Sequence, residues 1–165
     1  MLAIIIMGNC LKSTVGDAIR PFISPPVILK TFSAADINQV IKEQTKCDTI
    51  IMYDNEYDAI EVNDVKRFLK SNINNDYRVE ANDCDDAGII VTGRIRGWAY
   101  NRKNRNGGLC FGLLSGNLKI KDSDPDRPHA VGFFIDSDKK IHICDGLWNE
   151  IYDITPSMEI WNVIV

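Results

Sequence analysis

Asn82-Asp83-Cys84-Asp85-Asp86-Ala87-Gly88-Ile89-Ile90-Val91-Thr92-Gly93-Arg94-Ile95-Arg96-Gly97-Trp98 separates two patterns in the chain. Over residues 84–98, Ile89, Ile90, Ile95 and Trp98 fall among the apolar positions of a helix, and Asp83 can cap its start. Gly88, Gly93 and Gly97 weaken that helix by up to about 1 kcal/mol each. A polar, basic loop over 101–108 follows. Strand candidates then run over 109–114, 130–135, 140–144, 150–154 and 159–165. Asp136-Ser137-Asp138-Lys139 has the composition of a hairpin turn between two of them. One helix followed by hairpin-linked strands predicts an α+β fold, a helix laid on an antiparallel sheet.

Upstream, the pattern reads as α/β. Residues 1–7 are an apolar, β-rich run. Residues 33–45 carry Ile37, Val40 and Ile41 at helical spacing, with Ser33 placed to cap and Asp36 in the first turn. Residues 49–53 form a short apolar strand. Residues 61–71 form a second helix with Val62, Val65, Phe68 and Leu69 on one face. The chain is therefore read as an N-terminal α/β extension, 1–76, packed on a core that spans 77–165.

The chain has 165 residues, 45% apolar and 25% charged, which excludes whole-chain disorder. A chain of this length buries roughly two thirds of its unfolded surface and needs neither disulfides nor metal to fold. The net charge of −4 argues against a whole-surface binder of nucleic acid or anionic membrane. No apolar run approaches the ~18 residues of a spanning helix, so no membrane partner is expected. Residues 1–7 are too short for a signal core and lack a preceding Lys or Arg, so they read as a buried strand. The five cysteines, Cys10, Cys47, Cys84, Cys110 and Cys144, are odd in number and widely spaced. That suits free thiols in a reducing compartment and predicts a cytoplasmic protein.

Two histidines limit the candidates for proton transfer near neutral pH. His142 lies within an alternating strand and reads as a surface residue. His129 follows Pro128 at a strand start and can project beyond the sheet edge. Cys84 opens the helix, where backbone amides and the macrodipole favour a thiolate. Asp83 and Asp85 oppose that charge, and Cys84 reads equally as a small buried hydrophobe. Asp145 ends the hairpin strand opposite the start that carries His129, so the two should be neighbours. A carboxylate there can orient the imidazole; it also reads as a turn residue before Gly146.

Asn82 to Asp86, then His129-Ala130, then a hairpin ending at Asp145, resembles the papain-like cysteine protease domain of the Marasmius oreades agglutinin family. Related lectin-like domains of bacteria and phages share the pattern. Its elements are an upstream Tyr, a D-C-D-D-F-A box opening a helix, a G-H-A strand start and an acidic residue ending the next strand. The matching positions are Tyr77, Asp83 to Asp86, His129-Ala130 and Asp145, with gaps of 45 and 16 residues from Cys84 to His129 to Asp145. The resemblance implies Cys84 as nucleophile, His129 as general base and Asp145 as orienter. It implies a thiol hydrolase that cleaves a peptide or amide bond through an acyl-enzyme, acting on a peptide or protein. It also implies calcium as a possible ligand, with Asp85 and Asp86 as its candidate holders, and no required cofactor; Asp122, Asp124 and Asp126 read as a solvated acidic turn. Ala87-Gly88 departs from the Phe-Ala of the box, and Asp145-Gly146-Leu147 from Glu-Pro-Gln. Papain-like peptidoglycan peptidases share the same Cys–His–polar order.

Two other functions compete. The departures and the carboxylates around Cys84 point to a catalytically silent binding or inhibitory module, acting on a host partner. Residues 87–121 contain Arg94, Arg96, Arg102, Lys103, Arg105, Lys119 and Lys121 without an acid. That stretch, with Trp98 and Tyr100 as stacking surfaces, would suit nucleic acid, but the acidic remainder of the chain argues against it.

Overall fold

The structure is a computed structural model and describes residues 23–71, 84–100, 107–120 and 128–165. The N-terminal apolar run, Cys10, Tyr77, Asp83, the basic residues at 102, 103, 105 and 121, and Asp122, Asp124 and Asp126 lie outside these residues.

Helix α1 (Ala34–Thr45) begins where the sequence places a cap. The Ser33 hydroxyl accepts from the Asp36 N–H at 3.1 Å, and Asp36 sits in the first turn. The helix stops at Lys46, which is left-handed (φ 57°) and donates its N–H back to the Lys42 carbonyl. Ile37, Val40 and Ile41 are buried. Each such side chain contributes about 1.5–3 kcal/mol of transfer free energy. Helix α2 (Val62–Ser71) buries Val65, Phe68 and Leu69, and helix α3 (Cys84–Tyr100) buries Val91, Ile95, Trp98 and Ala99.

The larger sheet has strand order β2-β9-β5-β6-β7-β8. These are β2 (Ile50–Ile51), β9 (Glu159–Ile164), β5 (Phe111–Asn117), β6 (Pro128–Ile135), β7 (Ile141–Asp145) and β8 (Glu150–Asp153). All neighbours are antiparallel except β2 and β9, which run parallel. The hairpin turn forms as expected, with the Lys139 N–H donating to the Asp136 carbonyl and Lys139 at φ 63°. Among the described residues, three helices beside mixed sheets make the α+β class.

The sheet's two faces carry separate cores. On one face α1 packs against Leu114, Val131, Phe133, Ile143 and Val163. On the other, α2 and α3 pack against Phe111, Phe134 and Cys144. Gly88 is the reason α3 can lie so close. A Cβ there would meet Leu113 Cδ1 at 2.9 Å and the main chain of Ala130 and Val131 at 3.2 and 3.3 Å. The helix-weakening glycine is thus a contact surface.

A second sheet, β1-β3-β4, was not foreseen. It comprises β1 (Thr31–Ser33), β3 (Glu56–Asp58) and β4 (Gly108–Leu109). Tyr57 on β3 is fully buried and pairs with Gly108 on β4. Residues 109–114, expected as one strand, therefore break at Cys110, with β4 joining one sheet and β5 the other.

Candidate functional site

Cys84 is the first residue of α3 and is half-buried. His129 is the second residue of β6, opposite Gly116, and is half-buried. Asp145 ends β7 opposite Glu150 and is buried. The start of α3 lies over this region, because Gly88 packs on Ala130 and Val131 and Gly146 packs against the Ala87 carbonyl. The fold thus brings all three residues to one end of the sheet. Asp145 is engaged there as a turn former: its Oδ1 accepts from the N–H groups of Leu147 (2.8 Å) and Trp148 (3.3 Å). Trp148 stands on the surface beside it.

Among the described residues, no three His, Cys, Asp or Glu side chains come together as a metal site. Asp85 is exposed and Asp86 half-buried in the first turn of α3. No described helix is long and apolar enough to cross a membrane. Cys47, Cys110, Cys144 and Cys84 are free thiols. Burial pushes the thiols of Cys110 and Cys144 well above the ordinary range.

Burial overturns the surface reading of His142 and removes Trp98 from the nucleic-acid alternative. His142 is 5% exposed, not a surface residue. Its Nε2 lies 2.8 Å from Asp136 Oδ2 and its Nδ1 3.1 Å from Asp153 Oδ1, while its ring stacks on Phe134 at 5.0 Å. Carboxylates on both ring nitrogens are what make the burial tolerable. Trp98 is likewise no stacking surface. It packs on Phe68 (centroids 5.1 Å apart) and its indole N–H donates to the Ile23 and Ser24 carbonyls.

A different part of the molecule offers room. A cleft of about 310 Å³ is lined by Tyr53, Thr92, Arg96, Gly112, Leu113, Ile164 and Val165, at the low end of the usual range for ligand sites. Tyr53 is 76% exposed at its rim. Thr92 and Arg96 are one helical turn apart on α3, so their side chains share a face. Arg96 Nη1 donates to the Phe111 carbonyl at 2.8 Å, with the Leu109 carbonyl 3.4 Å away. Its Nη2 stands 3.7 Å from Asp54 Oδ2. Thr92 Oγ1 donates to the Gly112 carbonyl at 3.1 Å, which leaves its lone pairs as acceptors. The loop that carries Tyr53 and Asp54 is tethered from below, since both backbone N–H groups donate to the buried Tyr57 hydroxyl at 2.9 Å. Sequence reading missed this site: Arg96 entered it only as part of the basic stretch, and the place of Tyr53 depends on the unforeseen β3.

No protein-family model and no curated protein matches the chain. Solved structures do share its fold. One is a PSL1a–E64 complex, with a TM-score of 0.66 and 15% identity, matched over 82% of this chain and 51% of the other. A second is Polyporus squamosus lectin bound to the human-type influenza-binding epitope Neu5Acα2-6Galβ1-4GlcNAc, with a TM-score of 0.65 and 15% identity, over 82% and 49%. The chain spans about half the length of these lectin chains. The neighbours correct the functional expectations drawn from the resemblance. The neighbour bound to the sialylated epitope carries the name of a lectin, and at 15% identity the likeness shows a shared fold alone. On that finding the expected thiol hydrolase with an acyl-enzyme on Cys84, its enzyme class and its peptide substrate are set aside.

Proposed function

We propose that this chain is a non-catalytic recognition module whose ligand is a glycan, held in the cleft between α3 and the β5/β9 side of the larger sheet. The observation that carries this is the cleft's make-up. Its lining combines an exposed tyrosine, a guanidinium bonded to the Phe111 carbonyl and a hydroxyl with the apolar side chains of Leu113 and Ile164. A sugar ring has one C–H face for an aromatic and a rim of hydroxyls for polar groups, so it suits this lining. The fold shared with a sialoglycan-bound lectin supports the choice of ligand class. Fold alone would not, because unrelated functions share folds.

Cys84, His129 and Asp145, at the far end of the sheet, have no catalytic step in this reading. The test is a panel of immobilised glycans that includes Neu5Acα2-6Galβ1-4GlcNAc, probed with the wild-type chain and Tyr53→Ala. Saturable binding that the substitution weakens is the expected result. A panel that stays blank with correctly folded protein would overturn the proposal.

A further inference from the structure

We infer that the buried His142 is a charge-dependent latch: its ring, protonated on both nitrogens, ties the 136–139 turn to the edge strand β8, and loss of one proton releases β8. The basis is a pair of carboxylates on one buried ring. Nε2 lies 2.8 Å from Asp136 Oδ2, and Nδ1 lies 3.1 Å from Asp153 Oδ1. Both are hydrogen-bond distances. An ionised carboxylate only accepts, and a neutral imidazole has a single N–H to give. Both contacts are hydrogen bonds only when each nitrogen carries a proton.

The two carboxylates differ in freedom. The Asp136 side chain is 13% exposed, and its Oδ1 accepts from the N–H groups of Asp138 at 3.0 Å and Lys140 at 2.9 Å. It builds the turn and cannot leave without breaking it. The Asp153 side chain is 58% exposed, and its Oδ2 accepts from Lys140 Nζ at 2.7 Å. It stands directly opposite His142 in the β7–β8 register. When the ring loses a proton, the remaining N–H therefore stays with Asp136. Nδ1 then turns a lone pair on Asp153, and two acceptors at that distance repel. Asp153 swings into water.

Strand β8 is the element that feels this. It has four residues, lies at the edge of the larger sheet and pairs with β7. Short edge elements open more readily than the core. The Lys140–Asp153 pair that remains is exposed on both sides and holds little. This end of the sheet is thus tight while the ring is charged and looser once rising pH removes the proton.

Other charges do not take over the role. Among the described residues, Asp136 and Asp153 are the charged side chains in contact with the ring. A hydrogen bond from Lys140 holds the Asp153 carboxyl below its ordinary value of 3.8, so it is ionised from pH 5 upward. Glu61 accepts from the Ser137 N–H, Lys30 donates to the Ser137 carbonyl, and Lys139 pairs with Asp36. On α2, which packs on β8, Asp64 and Arg67 pair with each other, and Lys66 and Lys70 are exposed. On α3, Arg96 is bonded to the Phe111 carbonyl, and Arg94 lines a small pocket with Phe68 and Asn149. Cys144 is buried two residues along β7, and burial pushes its thiol well above the ordinary range, which keeps it neutral.

The experiment is a ¹⁵N NMR titration of the full chain from pH 5 to pH 9. It reads the His142 ring nitrogens and, on the same samples, the amide protection factors of β8. At the acid end both ring nitrogens should carry protons. As the pH rises, Nδ1 should lose its proton. Protection over 150–153 should then fall about tenfold, while that over 133–135 holds. Asp153→Asn gives the neutral Nδ1 an amide donor, so β8 protection in that variant should no longer follow the ring's proton. A ring whose protonation is the same from pH 5 to pH 9 overturns the inference, whether it is charged or neutral throughout. So does a ring that loses its proton while β8 keeps its protection, or an Asp153→Asn variant whose β8 responds as the wild type does.

Discussion

Replacing the three glycines of α3 one at a time by alanine makes a sharp test of how that helix is seated. All three changes remove the same entropic penalty, so on propensity alone each should stabilise by about 0.8–1 kcal/mol. Their surroundings differ. At Gly93 and Gly97 an added Cβ meets nothing within 4 Å. At Gly88 it would lie 2.9 Å from Leu113 Cδ1, 3.2 Å from the Ala130 carbonyl oxygen and 3.3 Å from Val131 Cα. Leu113 can turn aside; the two main-chain atoms of β6 cannot. Overpacking of this kind costs about 1–3 kcal/mol, which offsets or outweighs the propensity gain. Gly93→Ala and Gly97→Ala should therefore raise stability, while Gly88→Ala should leave it unchanged or lower it by up to about 2 kcal/mol. Urea unfolding at constant m-value reads the difference. For a chain of this length 1 kcal/mol also moves Tm by about 2–4 °C. If Gly88→Ala stabilises as much as the other two, α3 does not lie on β5 and β6 as described.

Single contacts carry three further predictions. Tyr57→Phe removes the acceptor of the Tyr53 and Asp54 N–H groups and should cost about 1–3 kcal/mol. Amide exchange at 53 and 54 should quicken, and unchanged protection there would refute the tether. His142→Leu keeps the packing on Phe134 but strips Asp136 and Asp153 of a partner, so the urea midpoint should fall by the equivalent of about 1–3 kcal/mol. An unmoved midpoint would mean that water serves those carboxylates as well. The Ser33 hydroxyl, with Lys139, holds the Asp36 carboxyl below its ordinary value of 3.8, and a hydrogen bond from Lys140 does the same for Asp153. Both contributions are present above that ordinary value and are lost as pH falls through the lowered folded values. Unfolding scans across the acid limb should show stability declining below about pH 4, less steeply in Lys140→Ala.

The parts of the fold written in local pattern were legible. Ser33 and Asp36 announce the start of α1, and Ile37, Val40 and Ile41 its buried face. The hairpin turn at 136–139 fixes the register of β6 and β7. What local pattern cannot show is a strand with a distant partner. Glu56-Tyr57-Asp58 has no apolar alternation, and its pairing with Thr31–Ser33 and Gly108–Leu109 supplies what its own sequence lacks. His142 misleads for a related reason. Its neighbours in sequence suggest a polar face, whereas its burial depends on Asp153, eleven residues away on β8. For the sites, sequence order placed Cys84, His129 and Asp145 at one end of the sheet because a helix start and two hairpin ends converge there. It also offered Asp145 as a turn residue before Gly146, and that turn is present.

The cleft is built on the element that the pattern hid, and this connects fold to recognition. A ligand gains little from groups that must be ordered as it arrives; affinity comes from groups already fixed in place. Here β3 sets Tyr57 in the core, and its hydroxyl fixes the loop that carries Tyr53 and Asp54. The pairing of β3 with β4 brings Gly108 under the Asp54 carboxylate. The step from β4 to β5 presents the Leu109 and Phe111 carbonyls that hold Arg96. One small sheet thus anchors the backbone that carries Tyr53 and Asp54 and leads into the carbonyls that hold Arg96. Tyr57→Phe is therefore expected to lower glycan affinity although Tyr57 lines no part of the cleft. It should do so by loosening the loop, so that the loss in affinity follows the rise in amide exchange at 53 and 54. Affinity that holds steady while those amides lose protection would show that the loop is not part of the binding surface.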